Sequence, residues 1–194
     1  MTNRSKPLAL VTGVGPGTGA ATVRRFAEAG YRVAMLARDA NRLADLAKDI
    51  PNAIAFPCDV TDEAELAKVI EEFGQPKVVV HNAVGGAFGT YDKIEASTLA
   101  RNFEINAMAL FHLARLTGPA MVAAGEGAII VTGNTSAQRG RAAFAGFAPT
   151  KAAQRILAES LARDLGPKGV HVAYLIIDAA IDVPWQRELQ PDKP

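Results

Sequence analysis

The sequence predicts a three-layer α/β protein built on a doubly wound parallel sheet of six strands. Short apolar runs alternate with helical stretches along the 194 residues, the pattern of strand–helix–strand units. The first run, Leu8 to Val11, breaks abruptly into glycines and then into helix formers, Ala20 to Ala29. The fourth, Lys77 to His81, is nearly all valine, as expected of a strand buried on both faces. No composition shift or linker divides the chain, so residues 1–194 read as one domain.

After the glycine turn, the first helix (Ala20 to Ala29) meets a stop at Gly30. Tyr31 to Ala37 is the second strand. Asp39 to Ile50 is a helix with Asp39 as its N-cap. Ala53 to Phe56 is the third strand. Asp62 and Glu65 form a capping pair for a helix reaching Phe73. The fourth strand leads through a glycine-rich loop (Val84 to Gly89) into one long helix, Thr98 to Ala123. Ala128 to Thr132 is the fifth strand, and polar, small residues from Asn134 to Gly146 form a loop. Pro149 to Leu165 is helical, with proline tolerated in the first turn. Val170 to Ile177 is the sixth strand. Right-handed crossovers give the Rossmann-type order 3-2-1-4-5-6, with ligands beyond the strand C-termini near the switch between strands one and four.

Composition narrows the function. Hydrophobic residues make up 49% and charged residues 21%, ordinary for a globular protein. A net charge of +1 speaks against nucleic-acid or anionic-membrane partners. The tail Met1 to Pro7 has no signal-peptide core, and no run reads as long enough to span a bilayer. The lone Cys58 forms no internal disulfide, which suits a reducing compartment. A cytoplasmic location is expected. His81, His112 and His171 are scattered, so no metal site is expected, and Cys58 reads as a packed small residue.

The glycine turn is a nucleotide site. Glycines permit positive φ and close approach to the backbone, and the following helix N-terminus favours phosphate. The strict G-x-G-x-x-G pattern fails, because Thr18 takes its last position. Gly15-Pro-Gly17-Thr-Gly19 fits the glycine pattern of S-adenosylmethionine-dependent methyltransferases. Thr12-Gly13, Gly17 and Gly19 fit the T-G-x-x-x-G-x-G turn of short-chain dehydrogenases/reductases. At the end of strand two, where an acid would bind ribose hydroxyls, Ala37 is followed by Arg38. A guanidinium attracts a 2′-phosphate, so NADP(H) is preferred over NAD(H); a merely solvated arginine is the alternative. Asp39 could serve ribose, though helix capping explains it equally well.

On these residues and three further motifs, the chain resembles the short-chain dehydrogenase/reductase family over nearly its whole length. Asp59-Val60 after strand three is similar to the family's adenine-holding Asp-Val. His81-Asn82-Ala83 is similar to its Asn-Asn-Ala-Gly, with Asn82 and Ala83 matching and His81 and Val84 departing. Asn106 matches the helix asparagine that holds a proton-relay water. The resemblance assigns cofactor binding to Thr12, Gly13, Gly15, Gly17, Thr18, Gly19, Arg38, Asp59, Val60, Asn82, Ala83, Lys151 and Ile181, the last through backbone groups. It implies hydride transfer between nicotinamide and a carbonyl or alcohol substrate. It also implies a homodimer or homotetramer formed through helices 98–123 and 149–165. The methyltransferase pattern lacks its usual acid at Gly13 and explains neither Asn106 nor Lys151.

The catalytic motif departs. The family's tyrosine and lysine stand four residues apart, on one helix face. Here Lys151 is present but Phe147 holds the tyrosine's place. The serine that binds the substrate carbonyl falls near Asn134, with Thr135 beside it, while Ser136 fills the role if the loop register shifts. The other tyrosines, Tyr31, Tyr91 and Tyr174, lie in strands or a distant loop. A water held by Lys151 and Asn106 is the expected proton relay, with Thr150 and Ser136 as weaker candidates. The family's Pro-Gly turn after strand six is replaced by Asp178-Ala179. The usual substrate-covering helix and seventh strand are missing from the 194 residues, and Pro184 and Trp185 either cover a substrate or make a surface contact. Two readings stay open: an NADP(H)-dependent oxidoreductase, or an NADP(H)-binding module, sensor or interaction protein, that has lost its proton-donating tyrosine.

Overall fold

A computed structural model of the protein describes residues 6–179 together with Ile181 and Arg187. Pro184 and Trp185 lie outside the described residues. Six parallel strands, β1 (Leu8–Thr12), β2 (Arg32–Ala37), β3 (Ala53–Pro57), β4 (Val78–His81), β5 (Gly127–Asn134) and β6 (Val170–Ile177), lie in the order β3-β2-β1-β4-β5-β6. This is the predicted order. Asn134, expected in the following loop, instead closes β5.

Period-two alternation sorts the strand side chains between two cores. Ala9, Val11, Val33, Met35, Val78 and Val80 face the layer of α1 (Thr18–Glu28) and α2 (Ala40–Asp49), meeting Val23, Leu43 and Ile50. Leu10, Leu36, Val79, Ile129 and Val131 face the other way. They pack on α3 (Glu63–Phe73), α5 (Ala109–Ala124) and α6 (Ala148–Leu165) through Leu66, Ile70, Leu110, Leu113 and Leu165. Each fully buried leucine contributes about 1.5–3 kcal/mol.

The expected helix over 98–123 begins earlier and is not continuous. It runs as α4 (Ala96–Phe103), a π-helical turn (Glu104–Met108) and α5. The widened turn faces Asn106 into the protein, where it is fully buried, in keeping with π-turns marking functional positions. By length and composition alone this 29-residue stretch, whose most apolar 18-residue window has a mean hydropathy of 1.3, is enough to cross a membrane. That corrects the expectation that no run is long enough. Here it packs on α3, α6 and the sheet, and it buries Asn102, Asn106 and Thr117 along its length.

Capping follows the sequence with one exchange. Asp39 accepts from the Arg42 amide, and Asp62 accepts from the amides of Ala64 and Glu65. Glu65 does not return the favour to Asp62. Its carboxylate accepts from the Asp59 amide instead, fixing the turn after β3. Gly30, at φ +88°, follows the end of α1.

Candidate functional site

Strand register brings the site together. Thr12 lies level with Leu36 on one side and His81 on the other, and His81 is level with Val131. The C-terminal ends of β1, β2, β4 and β5 therefore open on one cleft of about 590 Å³. Its floor is the glycine turn. Gly13 has φ +66°, and a Cβ there would lie 2.5 Å from the Ala83 backbone; a Cβ on Gly19 would lie 2.7 Å from the Gly13 carbonyl oxygen. Only glycine permits this contact between the β1 and β4 loops. Gly15 faces open space. No side chain caps α1, and its first turn holds no acid, which leaves the dipole end available to an anion.

Gly13, Gly15, Gly17, Thr18, Gly19, Arg38, Asp59, Val60, Asn82, Ala83, Lys151 and Ile181 all line this cleft. Thr12 does not line it. Buried beneath, its hydroxyl accepts from the amides of Asn82 and Ala83 and lies 3.1 Å from His81 Nδ1. With two amides on its oxygen, the hydroxyl donates its one proton to Nδ1. His81 is therefore the neutral Nε2–H tautomer. Burial, aided by the charge of Lys151, pushes its pKa down to about 4. This structural bond accounts for the histidine at that position. Asn82 donates to the Gly13 carbonyl at 2.8 Å and accepts from the Thr132 hydroxyl at 3.1 Å, which ties β1, β4 and β5 at the cleft floor.

Two arginines that sequence reasoning passed over also reach the cleft. Arg42, one turn into α2, pairs with Asp39 at 3.1 Å. Asp39 is thus occupied by capping and by Arg42, whereas Arg38 has no ion pair among the described residues. Arg101, from α4, spans to the turn after β3, donating to Asp59 at 2.5 Å and to the Thr61 hydroxyl at 2.6 Å. Burial raises the Asp59 carboxyl, but hydrogen bonds from Thr61 and the Arg101 guanidinium outweigh it and hold it below its ordinary value. Burial and nearby carboxylates raise the Cys58 thiol to about 12, so it is unreactive.

At the opposite end stand Phe147 and Lys151. Phe147 is the N-terminal cap residue of α6, and the Lys151 amide donates to its carbonyl. The four-residue spacing thus puts both on the cleft wall. The Phe147 ring is tilted against Phe88 at 5.4 Å, and Phe88 meets Phe144 edge-on. Lys151, 2% exposed, donates to the Thr132 carbonyl at 3.0 Å. Burial pushes its pKa down to about 8.

The remaining sequence-predicted residues are placed differently. Asn106 lies behind the cleft. Its amide nitrogen donates to the Gly85 carbonyl and the Thr150 hydroxyl, its side-chain oxygen accepts from the Gly85 amide, and its own carbonyl accepts from Gln154. Both amide hydrogens are used, so the Asn106 side chain has no proton left to give a water. Asn134 lines the cleft, accepting from the Ser136 amide at 2.7 Å. Ser136 lines the neighbouring cavity instead. Tyr174 packs on Gly133 with its hydroxyl 3.4 Å from the Asn134 amide and the Lys151 carbonyl. It sits behind the backbone and does not line the cleft.

The buried Lys151 gives a stability test. Its pKa is about 8 folded and near 10.5 unfolded. Below pH 8 both states are protonated, and the folded state bears the full cost of the buried ammonium. Between pH 8 and 10.5 the unfolded chain holds more protons, so stability rises with pH. Lys151→Met is expected to be more stable at pH 7, by about 3 kcal/mol at most, with the gap closing toward pH 10.5. Denaturant unfolding across that range checks this, and a gap independent of pH contradicts it.

The profile of the short chain dehydrogenase family matches residues 7–193. The chain is 32% identical over 172 residues to the 7alpha-hydroxysteroid dehydrogenase of Escherichia coli (strain K12), covering 84% of this chain and 67% of that enzyme. It therefore spans about two thirds of that relative's length. Among solved structures, it superposes on a metagenomic short-chain oxidoreductase in complex with NADP with a TM-score of 0.84 at 28% identity, covering 90% of this chain and 83% of that one. On NAD+-bound xylitol dehydrogenase the TM-score is 0.85 at 27% identity, covering 95% and 75%. The chain belongs to the short-chain dehydrogenase/reductase family and, by its resemblance to these dehydrogenases, is classed with the NAD(P)-dependent oxidoreductases.

Proposed function

We propose that the cleft holds NADP(H) and that the protein transfers hydride between it and a small carbonyl or alcohol substrate. The observation that carries this is the continuous lining from the glycine turn, past Arg38, to Lys151. The donor set fits a dinucleotide. The bare Gly13–Gly19 backbone and the uncapped α1 terminus suit a pyrophosphate. Arg38 suits the 2′-phosphate, with Asp39 turned to its cap. Asp59, Val60, Asn82, Ala83 and Ile181 complete the lining. Bound nicotinamide supplies or accepts the hydride. Lys151 contributes two things with this chain's own atoms: its ammonium, held by the Thr132 carbonyl, would supply positive charge at the nicotinamide end of the cleft, and it carries a proton that its lowered pKa makes transferable near neutral pH. Asn134, at the end of β5, also lines the cleft; one of its amide hydrogens goes to the Ile177 carbonyl at 3.4 Å and the other is left for a substrate oxygen. Asn106 shapes the Gly85 loop and the start of α6 and holds no proton of its own to give.

Phe147 favours a second reading, an NADP(H)-binding module without turnover, because phenylalanine has no proton to donate. NADPH oxidation against a panel of aldehydes, ketones and quinones separates the two. Turnover on any member supports the oxidoreductase; NADPH binding with no turnover on any supports the module. Arg38→Ala is expected to weaken NADPH binding about tenfold or more, the worth of a charged hydrogen bond, and to leave NADH binding nearly unchanged. Equal loss for both overturns the 2′-phosphate assignment. We place the reaction in the cytoplasm, in keeping with the single buried Cys58, and infer a homo-oligomer through α4–α5 and α6, whose Met108, Phe111 and Ile156 are exposed.

A further inference from the structure

Past Asn134 lies a second cavity of about 330 Å³. Asn134 and Ala179 line both spaces, so the two share a wall at the end of β5. The remaining lining is Thr135, Ser136, Arg139, Arg141, Phe144 and Asp178. Its backbone is anchored: Gly89 pairs with Phe144, and the Gly89 amide donates to the Ala143 carbonyl at 2.8 Å. Arg141 lies over the Phe144 ring, 5.9 Å from its centroid, a stacking that orders a guanidinium without neutralising it. Asp178 is engaged by the Thr135 hydroxyl at 2.9 Å. Neither Arg139 nor Arg141 forms an ion pair among the described residues. Two permanent cations on exposed arginines thus line a cavity whose one carboxylate already accepts from Thr135, and the Ser136 hydroxyl is left able to donate.

We propose that this cavity receives an anionic group, carboxylate or phosphate, carried by the substrate, so that the protein acts on acidic carbonyl or alcohol compounds rather than neutral ones. The fork of each guanidinium suits either anion. The location fits, since a substrate whose reacting carbon lies between Phe147 and Asn134 has this cavity as its neighbour. The proposal rests on the NADP(H) reading for its place in a reaction, but anion binding itself does not.

Calorimetric titration of the full chain, with and without NADPH, tests it with two matched pairs. These are 4-oxopentanoate against its methyl ester, and dihydroxyacetone phosphate against dihydroxyacetone. At least one anion is expected to bind about tenfold tighter than its neutral partner, with the preference shrinking as salt is raised. Which pair shows the preference identifies the anion. The double variant Arg139→Gln/Arg141→Gln is expected to erase the preference while NADPH affinity and melting temperature stay unchanged. Equal binding within both pairs, failure of both anions to bind, or a preference that survives the double variant overturns the proposal. Anion preference in a protein that does not bind NADPH upholds this cavity and defeats the cofactor reading instead.

Discussion

Gly13→Ala is expected to destabilise the fold by about 2–4 kcal/mol and to abolish cofactor binding. Two independent penalties combine. The residue sits at φ +66°, and its new methyl would lie 2.5 Å from backbone atoms of Ala83. That neighbour cannot turn aside, because its amide is held by Thr12, whose hydroxyl is also committed to His81. Relief requires parting β1 from β4 at their C-terminal ends, where Asn82 laces them together. Gly15→Ala is the matched comparison. Its methyl meets nothing within 4 Å and its φ is not in the left-handed range, so stability should stay within about 0.5 kcal/mol of the parent. Thermal melts of the pair check both. A tolerated Gly13→Ala would mean that the two loops do not pack as described.

Phe147→Tyr is expected to raise the rate of carbonyl reduction by about 10²–10⁴-fold, the worth of a positioned general acid. Phe147 already stands on the cleft wall one turn before Lys151. A phenol there would lie next to a cation that favours its ionised form. Lys151 is buried and held by the Thr132 carbonyl, so the partner that the phenol requires is in place. Single-turnover oxidation of bound NADPH measures the effect directly. An unchanged rate with NADPH bound would show that more than the missing hydroxyl separates this site from hydride transfer.

The fold was legible because its signals are local. Alternation in Leu8–Thr12, Arg32–Ala37 and Val78–His81 assigns each side chain to one face, and the glycine turn marks where the sheet reverses. Most of the cleft lining was legible for the same reason, since the glycine turn, Arg38, Asp59 and Asn82 each follow the end of a strand. Residues from different elements that meet were harder. Arg101, on α4, stands 42 residues after Asp59, and nothing in its neighbourhood announces the pairing. The π-turn was hidden within an unbroken helical pattern, because widening one turn changes which side chains face inward without changing their composition. Asp62 and Glu65 have the spacing of a reciprocal cap, yet a closer amide at Asp59 captured the glutamate. The arginines of the second cavity lay in a stretch whose small polar residues signal only a loop.

The central claim is that the cleft over Gly13–Gly19 and Arg38 is an NADP(H) site. Fluorescence titration of the unmodified chain with NADPH and NADH tests it most directly. Saturable binding of one NADPH per chain, about tenfold or more tighter than NADH, is the predicted result; failure to bind either nucleotide would contradict it.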